Sequence, residues 1–198
     1  MPNTGAVILA AGNSSRLGQP KQLLQFRGQT LVRRIVDAAC EADCSPIVVV
    51  IGSDKDKVAR ELEQTDAVIV ENENWNEGIG TSIRSGAQRL IDVAPNVEAI
   101  VLLVCDQPLV DSHTIEQLIA LGAKTKKAIV ASSYAGTLGV PALFDRSCVE
   151  ELLALDDGSG AKPIILSNHE RVAEFPFSEG QIDIDTAADY DKLRLSEN

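Results

Sequence analysis

The amino-acid sequence predicts an α/β fold in which helices cover both faces of a mostly parallel sheet. Three short apolar runs, at residues 6–9, 47–51 and 67–70, alternate with an amphipathic segment at 30–42 and a polar helical segment at 52–62. This alternation is typical of parallel strands that are joined by right-handed crossovers. Because the runs are continuously apolar, we expect helices to bury both faces of the strands.

The size and the charge of the chain limit the classes of protein to which it can belong. Its length of 198 residues suits one domain, spanning 1–198, that buries most of its apolar surface. The formal net charge of −11 disfavours nonspecific binding to nucleic acid, because the phosphates would be repelled. A nucleotide ligand is still compatible with this charge, since a local cationic loop together with a metal ion can override it.

The cysteines, the histidines and the hydropathy predict a cytoplasmic protein. None of the four cysteines belongs to a Cys-x-x-Cys pair, and the two histidines lack ligand-like spacing to any cysteine pair, which disfavours zinc. We find no signal peptide and no apolar run of 18 residues. We therefore expect reduced thiols, no membrane contact and a cytoplasmic location.

The loop at residues 9–21, directly after the first strand, is typical of an anion site. Gly12 and Gly18 allow the backbone to approach a phosphate, and successive N–H groups can line a concavity around it. Arg16 and Lys21 would supply the positive charge that a triphosphate requires. The loop is not a P-loop, because its glycine spacing is one residue too long and no Gly-Lys-Ser/Thr follows, nor is it a dinucleotide fingerprint. The alternative is a flexible surface loop without a ligand.

A second polar segment, at residues 71–86, leads into a helix that we expect to begin at about Thr81. The first N–H groups of this helix and the hydroxyl of Ser82 would suit a phosphate or a ribose. In the alternative interpretation, the hydroxyls only cap the helix, and Trp75 covers the edge of the core.

The strand that we expect at residues 98–105 is the most apolar in the chain and ends directly at Asp106. Ligands of open α/β sheets bind beyond the carboxyl ends of the strands, so this carboxylate is well placed to hold Mg²⁺ against phosphates. The alternative is a turn aspartate ahead of the helix near Ser112.

The C-terminal half continues the alternation and ends in a capped helix. Thr186 and Asp189 form a capping-box-like start of this helix, which leaves Asp185 without a structural explanation. The glycine-rich acidic segment 156–162 is typical of a linker between helices. The other elements are expected as strands at 128–134, 171–175 and 181–184 and as a helix at 146–155.

The first loop resembles the signature of the MobA-like nucleotidyltransferases, in particular their molybdenum cofactor cytidylyltransferase (MocA-like) branch. The family pattern, Leu-Ala-Ala-Gly-x-Ser/Gly-x-Arg-x-Gly-x-x-Lys, fixes eight positions over thirteen residues. Segments that begin at Asn72, Asp106 and Asp183 agree with the family as well, so the resemblance covers about residues 6–190. The matching residues of the first loop are Leu9, Ala10, Ala11, Gly12, Ser14, Arg16, Gly18 and Lys21.

The resemblance implies a single-domain, three-layer, Rossmann-like nucleotidyltransferase fold with a Mg²⁺ site. Asp106 and Asp185 would be the metal ligands, and Arg16 and Lys21 would hold the leaving pyrophosphate. Arg16, Lys21 and Asp106 are thus the catalytic candidates. The nucleotide-binding candidates are Leu9, Ala10, Ala11, Gly12, Lys21, Ser82 and Asp106.

The resemblance also implies a reaction: transfer of CMP from CTP to the phosphate of molybdopterin, or of molybdenum-loaded molybdopterin, with release of pyrophosphate. Gly158, Gly160, Ala161 and Lys162 match the segment that faces this acceptor. A molybdoenzyme or its chaperone would then be a protein partner.

Three positions depart from related sequences. Val140 stands where many relatives have histidine, so any contact of that histidine must be absent or replaced here. Ala11 replaces a glycine of the related guanylyltransferases, and Pro20 stands at their acidic position. Because a methyl group at Ala11 takes space beside the base, we expect the smaller pyrimidine and hence CTP.

Three other functions remain open. The chain could be another nucleotidyltransferase that uses GTP and molybdopterin, or a sugar phosphate. It could be a non-catalytic carrier that inserts a finished molybdenum cofactor into an apo-enzyme. A nicotinamide-dependent reductase is the third, although the missing dinucleotide fingerprint disfavours it.

Overall fold

A computed structural model describes residues 3–14 and 17–195 of the chain. Short 3-10 helices occur at Lys21–Leu23, Trp75–Glu77, Arg146–Cys148, His169–Arg171 and Ser178–Gln181. The strands and α-helices are β1 (Thr4–Ala10), β2 (Gln25–Phe26), β3 (Gln29–Thr30), α1 (Leu31–Glu41), β4 (Ile47–Ile51), α2 (Lys55–Glu61), β5 (Val68–Glu71), α3 (Ile79–Val93), β6 (Ala99–Val104), α4 (Ser112–Thr125), β7 (Ile129–Tyr134), β8 (Thr137–Asp145), α5 (Val149–Leu153), α6 (Lys162–Ser167), β9 (Val172–Pro176) and α7 (Ala187–Leu195).

Seven strands form one mostly parallel sheet, as the sequence predicts. Their order is β5-β4-β1-β6-β8-β7-β9, and only β8 runs antiparallel to its neighbours. From β1 the chain proceeds outward to β4 and β5 on one side and later returns to place β6 on the other. In such sheets the ligand crevice lies beyond the carboxyl ends of the strands where the order switches, here between β1 and β6.

Both faces of the central strands are buried, which explains why their sequences are continuously apolar. In β1, Ile8 packs in the core with α1, α2 and α4, whereas Val7 and Leu9 pack in the core with α3, α5 and α6. The strands β4 and β6 alternate in the same way. The predicted three-layer arrangement is therefore confirmed.

A third, smaller core positions the C-terminal segment. Ile184, which is fully buried, packs with Phe26 of the β2–β3 hairpin and with Leu193 of α7. The Ile184 amide also donates to the carbonyl of Asp106 at 3.0 Å. These contacts bring the chain around residue 185 to the carboxyl end of β6.

Some element predictions were wrong. Residues 181–184 are not a strand: Gln181 ends the 3-10 turn Ser178–Gln181, and the buried Ile184, not a strand ladder, anchors the residues after it. The helix expected at 146–155 is divided into a 3-10 turn and the short α5. Within residues 3–14 and 17–195, no helix combines the length and the apolar character needed to span a membrane.

Candidate active site

The loop after β1 is closed by its own hydrogen bonds. Ser14 accepts a bond from the Lys21 amide on its Oγ, at 2.8 Å, and one from the Leu17 amide on its carbonyl, at 2.9 Å. Gly18 has a φ of +69°, a left-handed conformation that favours glycine. The predicted catalytic residue Arg16 lies outside the described residues, so its role stays a prediction.

In the first part of this loop, the backbone carbonyls already accept hydrogen bonds, and backbone amides are available as donors. The carbonyls of Ala10 and Gly12 both accept from the side chain of Gln22, and the carbonyl of Ala11 accepts from the Ser53 amide at 3.1 Å. The amides of Gly12 and Asn13, by contrast, have no acceptor within the described part of the chain. A loop whose carbonyls are engaged and whose amides are available suits an anion.

The two predicted metal ligands lie on either side of one ammonium group. The Lys21 Nζ is 2.6 Å from Oδ2 of Asp106 and 3.1 Å from Oδ1 of Asp185. Burial by itself lowers the pKa of Lys21, but the charge and hydrogen bond of Asp106, and the hydrogen bond of Asp185, raise that pKa above its ordinary value. Lys21 is therefore a cation at every physiological pH.

The donor set fits magnesium in its usual protein environment. Among the described residues, no group of three or more His, Cys, Asp or Glu side chains is arranged to hold a metal ion. Two carboxylates at Asp106 and Asp185 are sufficient for Mg²⁺, because this ion keeps several waters and is commonly bound by one or two carboxylates together with substrate phosphates.

A cavity of about 190 Å³ joins the first loop to Asp106. Ala10, a predicted nucleotide-binding residue, packs instead in the core with α1, so that its side chain lies on the other face of the sheet. Burial raises the pKa of the Cys105 thiol to about 12, so this cysteine stays neutral and is not a nucleophile. The cavity is lined by Leu9, Ala11, Gly12, Lys21, Gln22, Trp75, Ile79, Ser82, Val104, Cys105 and Asp106.

Ser82 has a hydroxyl proton available for a ligand. Its Oγ accepts a hydrogen bond from Nδ2 of Asn72 at 2.9 Å, while the hydroxyl finds no acceptor among the described residues. Thr81 differs, because its hydroxyl contacts the carbonyls of Asn74 and Gly78 and so stabilises the turn before α3. Ser82 is therefore the better candidate for a polar contact with a ligand in the cavity.

The start of α3 differs from the sequence prediction. The helix begins at Ile79 rather than at about Thr81, and no side chain caps it. The Gly80 amide donates to the carbonyl of Asp157 at 2.8 Å, so this N–H group is not available to an anion. The Ser82 side chain therefore stays the candidate for the predicted ligand contact, and the Gly80 N–H group does not.

The predicted acceptor segment packs against this helix start. Arg84 of α3 contacts the Leu155 carbonyl and the Asp157 carboxylate. A Cβ atom on Gly160 would be 3.7 Å from Cγ2 of Ile79, a residue that lines the cavity. The structure thus places Gly160 beside the cavity, Gly158 and Lys162 on the exposed surface, and Ala161 in the core.

We expect the substitution Gly80→Ala to displace the acceptor segment. A Cβ atom at this position would overlap the Asp156 carbonyl oxygen and lie 2.9 Å from the carbonyl oxygens of Asp157 and Ser159. Because backbone must move, the free energy of unfolding should fall by about 1–3 kcal/mol, as measured by denaturant titration. The matched control is Gly158→Ala, where no atom lies within 4 Å. Equal stability of the two variants would contradict the packing.

Sequence reasoning missed contacts that position the site. Gln22 and Asn72 are buried and hold the loop and Ser82, respectively. On the other side, the Val140 carbonyl accepts from Nε2 of Gln107 at 3.1 Å and from the Tyr134 hydroxyl at 3.0 Å. At the histidine position of relatives, it is thus the backbone of Val140 that joins the network. The sequence Lys21-Gln22-Leu23-Leu24 by itself carries no signal for such contacts.

The fold and this site define a protein of the nucleotidyltransferase class. A family model described as the MobA-like NTP transferase domain matches residues 6–172, and the chain belongs to this family.

Curated relatives match parts of the chain. It is 30% identical over 122 residues to the bifunctional protein GlmU of Bifidobacterium animalis subsp. lactis, and the matched region is 60% of this chain and 26% of GlmU. It is 32% identical over 121 residues to nicotine blue oxidoreductase of Paenarthrobacter nicotinovorans, which covers 60% of the chain and 57% of that protein. The chain thus spans about a quarter of the length of GlmU and little more than half of the length of nicotine blue oxidoreductase.

Solved structures match over the full length. Rv0371c from Mycobacterium tuberculosis H37Rv is 33% identical, with a TM-score of 0.81 and coverage of 100% of both chains. A structure described as the manganese complex of Rv0371c is 30% identical, with a TM-score of 0.77 and coverage of 98% of this chain and 99% of that one.

Proposed function

We propose that the protein transfers CMP from CTP to the phosphate of molybdopterin, or of its molybdenum-loaded form, and releases pyrophosphate. The observation that carries the proposal is a single cavity lined by the loop after β1, by Lys21 and by Asp106. The ammonium of Lys21 also binds Asp185. Family membership supports nucleotidyl transfer, and the resemblance to the cytidylyltransferase branch supports the acceptor.

The chemistry requires position and positive charge more than a proton acceptor. The acceptor phosphate is already an anion, so it attacks the α-phosphorus without a general base. The barrier comes from repulsion between anions and from charge that grows on the leaving pyrophosphate. The amides of Gly12 and Asn13 would hold phosphate oxygens, and the Ser82 hydroxyl would donate to the nucleotide.

Lys21 would move from its carboxylate partners to the phosphates when the nucleotide binds. Its ammonium would then balance part of the charge on the triphosphate. Arg16, which precedes Lys21 in the same loop, would do the same. When bound by Asp106 and Asp185, Mg²⁺ would neutralise phosphate charge and orient the α-phosphorus. The manganese complex of Rv0371c supports the use of a divalent ion in a relative.

The direct test measures pyrophosphate release from each of the four triphosphates with purified molybdopterin and Mg²⁺. We expect release with CTP and a cytosine dinucleotide product. Binding of a triphosphate without pyrophosphate release would indicate the carrier function instead. Release with another acceptor, such as a sugar phosphate, would keep the class and change the substrate.

A second candidate follows from the relative named nicotine blue oxidoreductase, which is 32% identical over the matched part. The same preparation should therefore be assayed for oxidation of NADH or NADPH in the presence of nicotine blue. We expect no oxidation, because the loop after β1 lacks the dinucleotide fingerprint. Oxidation that depends on the dye would favour the reductase.

Base selection depends on Ala11, whose buried methyl group lies at the cavity. We expect kcat/KM to favour CTP over GTP, and Ala11→Gly to reduce this ratio by up to about tenfold, since one methyl group in a pocket discriminates only modestly. CTP and GTP should compete in one assay in which both dinucleotide products are quantified. The control is Ala10→Gly, which removes a methyl group on the opposite face of the sheet. A preference for GTP in the unmodified protein would contradict the assignment to CTP.

A further inference from the structure

We propose that Gln22 is a positioning residue that holds the loop after β1 in its phosphate-binding shape, a role that rests on the proposed binding of a triphosphate. Gln22 lies in the 3-10 turn Lys21–Leu23, has 1% of its surface exposed and lines the cavity. Its Nε2 donates to the carbonyls of Ala10 at 2.9 Å and of Gly12 at 2.8 Å. One side-chain amide thus donates hydrogen bonds to both ends of the segment 10–12.

These two bonds fix the direction of backbone donors. In a trans peptide the C=O and the following N–H point in opposite directions. Holding the Gly12 carbonyl toward Gln22 therefore directs the Asn13 amide away from it, and the Ala10 carbonyl does the same for the Ala11 amide. The Ser53 amide holds the intervening carbonyl of Ala11. All three peptide planes are fixed, two of them by Gln22.

Hydrogen bonds hold this loop, and packing contributes little around Gly12. Gly12 and Asn13 are exposed, and a Cβ atom on Gly12 would find no atom of the described residues within 4 Å. Within residues 3–14 and 17–195, Gln22 is the residue whose side chain holds the Gly12 carbonyl. The turn that carries Gln22 also carries Lys21, so the same residue links the donor amides to the cation.

The chemistry of the side chain also indicates a role beyond stability. The amide orientation is unambiguous, because both neighbours of Nε2 are carbonyl oxygens that require a donor. Its Oε1 is buried and has no hydrogen-bond partner among the described residues. A buried acceptor without a donor offsets much of what the two bonds contribute to folding. A residue that served folding alone would gain little from being glutamine here.

Gln107 offers a matched comparison on the other side of the site. Its Nε2 donates to the carbonyls of Val140 at 3.1 Å and Gly180 at 2.8 Å, and its Oε1 is likewise buried without a partner. The two glutamines therefore share burial, hydrogen-bond pattern and orphaned oxygen. Gln107 holds β8 and the turn Ser178–Gln181, and within the described part of the chain its side chain makes no hydrogen bond to the loop after β1.

The test replaces each glutamine by methionine, which has a similar length and no donor. Equilibrium titration in the presence of Mg²⁺ gives the Kd of CTP and of CMP for each variant. We expect Gln22→Met to raise the Kd of CTP about tenfold and that of CMP less than twofold, because only the triphosphate needs the full set of amides. Gln107→Met, which removes the same kind of bonds away from the loop after β1, should raise the Kd of CTP less than Gln22→Met does. The surface variant Gln88→Met, which removes only an exposed bond to Asp92, should leave the Kd of CTP unchanged. In turnover, Gln22→Met should raise the KM of CTP and leave the KM of the acceptor unchanged.

Each outcome distinguishes this proposal from the proposed function. If the unmodified protein binds none of the four triphosphates, both are wrong. If it binds a triphosphate and Gln22→Met binds it equally well, only the role of Gln22 is wrong, and equal losses for CTP and CMP have the same meaning. Gln22→Glu, which keeps the shape and removes both donors, is the second variant. If neither variant folds, Gln22 is a structural residue and the proposal is wrong.

Discussion

Replacing Asp106 by asparagine is expected to leave the fold intact and to lower Mg²⁺-dependent turnover about a hundredfold. Asp106 follows β6 at the carboxyl edge of the sheet, where its side chain is 23% exposed and lines the cavity. Loss of a ligand that stabilises charge in the transition state corresponds to roughly 3 kcal/mol. Asp185→Asn should act in the same direction, because both carboxylates contact the same ammonium.

The measurement is the steady-state rate of pyrophosphate release over a range of Mg²⁺ concentrations, with circular dichroism as the check on folding. Asp111→Asn is the control. Asp111 caps α4 by accepting from the Thr114 amide at 2.8 Å, and asparagine caps a helix about as well. Near-normal turnover of folded Asp106→Asn at saturating Mg²⁺ would remove this residue from the site.

Much of the sheet could be predicted because its central strands are buried on both faces. The apolar run Ile47–Ile51 is β4 without any change of bounds, and the strand that precedes Asp106 is β6. Burial on both faces leaves a continuous apolar signal that depends little on the neighbours. The antiparallel position of β8 beside β6 depends on long-range pairing, and no local pattern predicted it.

The site was predictable to the extent that its residues carry a charge or a glycine in a recognisable spacing. Lys21 and Asp106 were predicted in this way, and the structure places Nζ of Lys21 2.6 Å from Oδ2 of Asp106. Gln22 was missed, and the contact of Asn72 with Ser82 was not predicted, because these contacts go to backbone carbonyls and a hydroxyl that only the folded chain brings near. The N–H groups at the start of α3 were overestimated, since the Asp157 carbonyl takes one of them.

Replacing Lys21 by methionine is expected to have two opposite effects on ligand binding. Affinity for CTP should fall about ten- to a hundredfold, because charge-assisted hydrogen bonds to phosphate are lost. Affinity of the nucleotide-free protein for Mn²⁺ should rise, because the ammonium no longer pairs with Asp106 and Asp185. In the unmodified protein, a divalent ion at these two carboxylates would first have to displace that ammonium, whose side chain is only 16% exposed.

The two effects are separable by titrating Mn²⁺, followed by electron paramagnetic resonance, and CTP, followed by calorimetry. Lys57→Met is the control, since Lys57 pairs with Asp54 on the surface and both affinities should stay unchanged. In the unmodified protein, CTP should also increase the affinity for Mn²⁺, since a triphosphate that takes Lys21 frees both carboxylates, and this coupling should shrink in the variant. If Lys21→Met binds Mn²⁺ no more tightly than the unmodified protein, the ammonium and the metal do not compete. The carboxylates would then hold the ion in a geometry that the lysine does not obstruct.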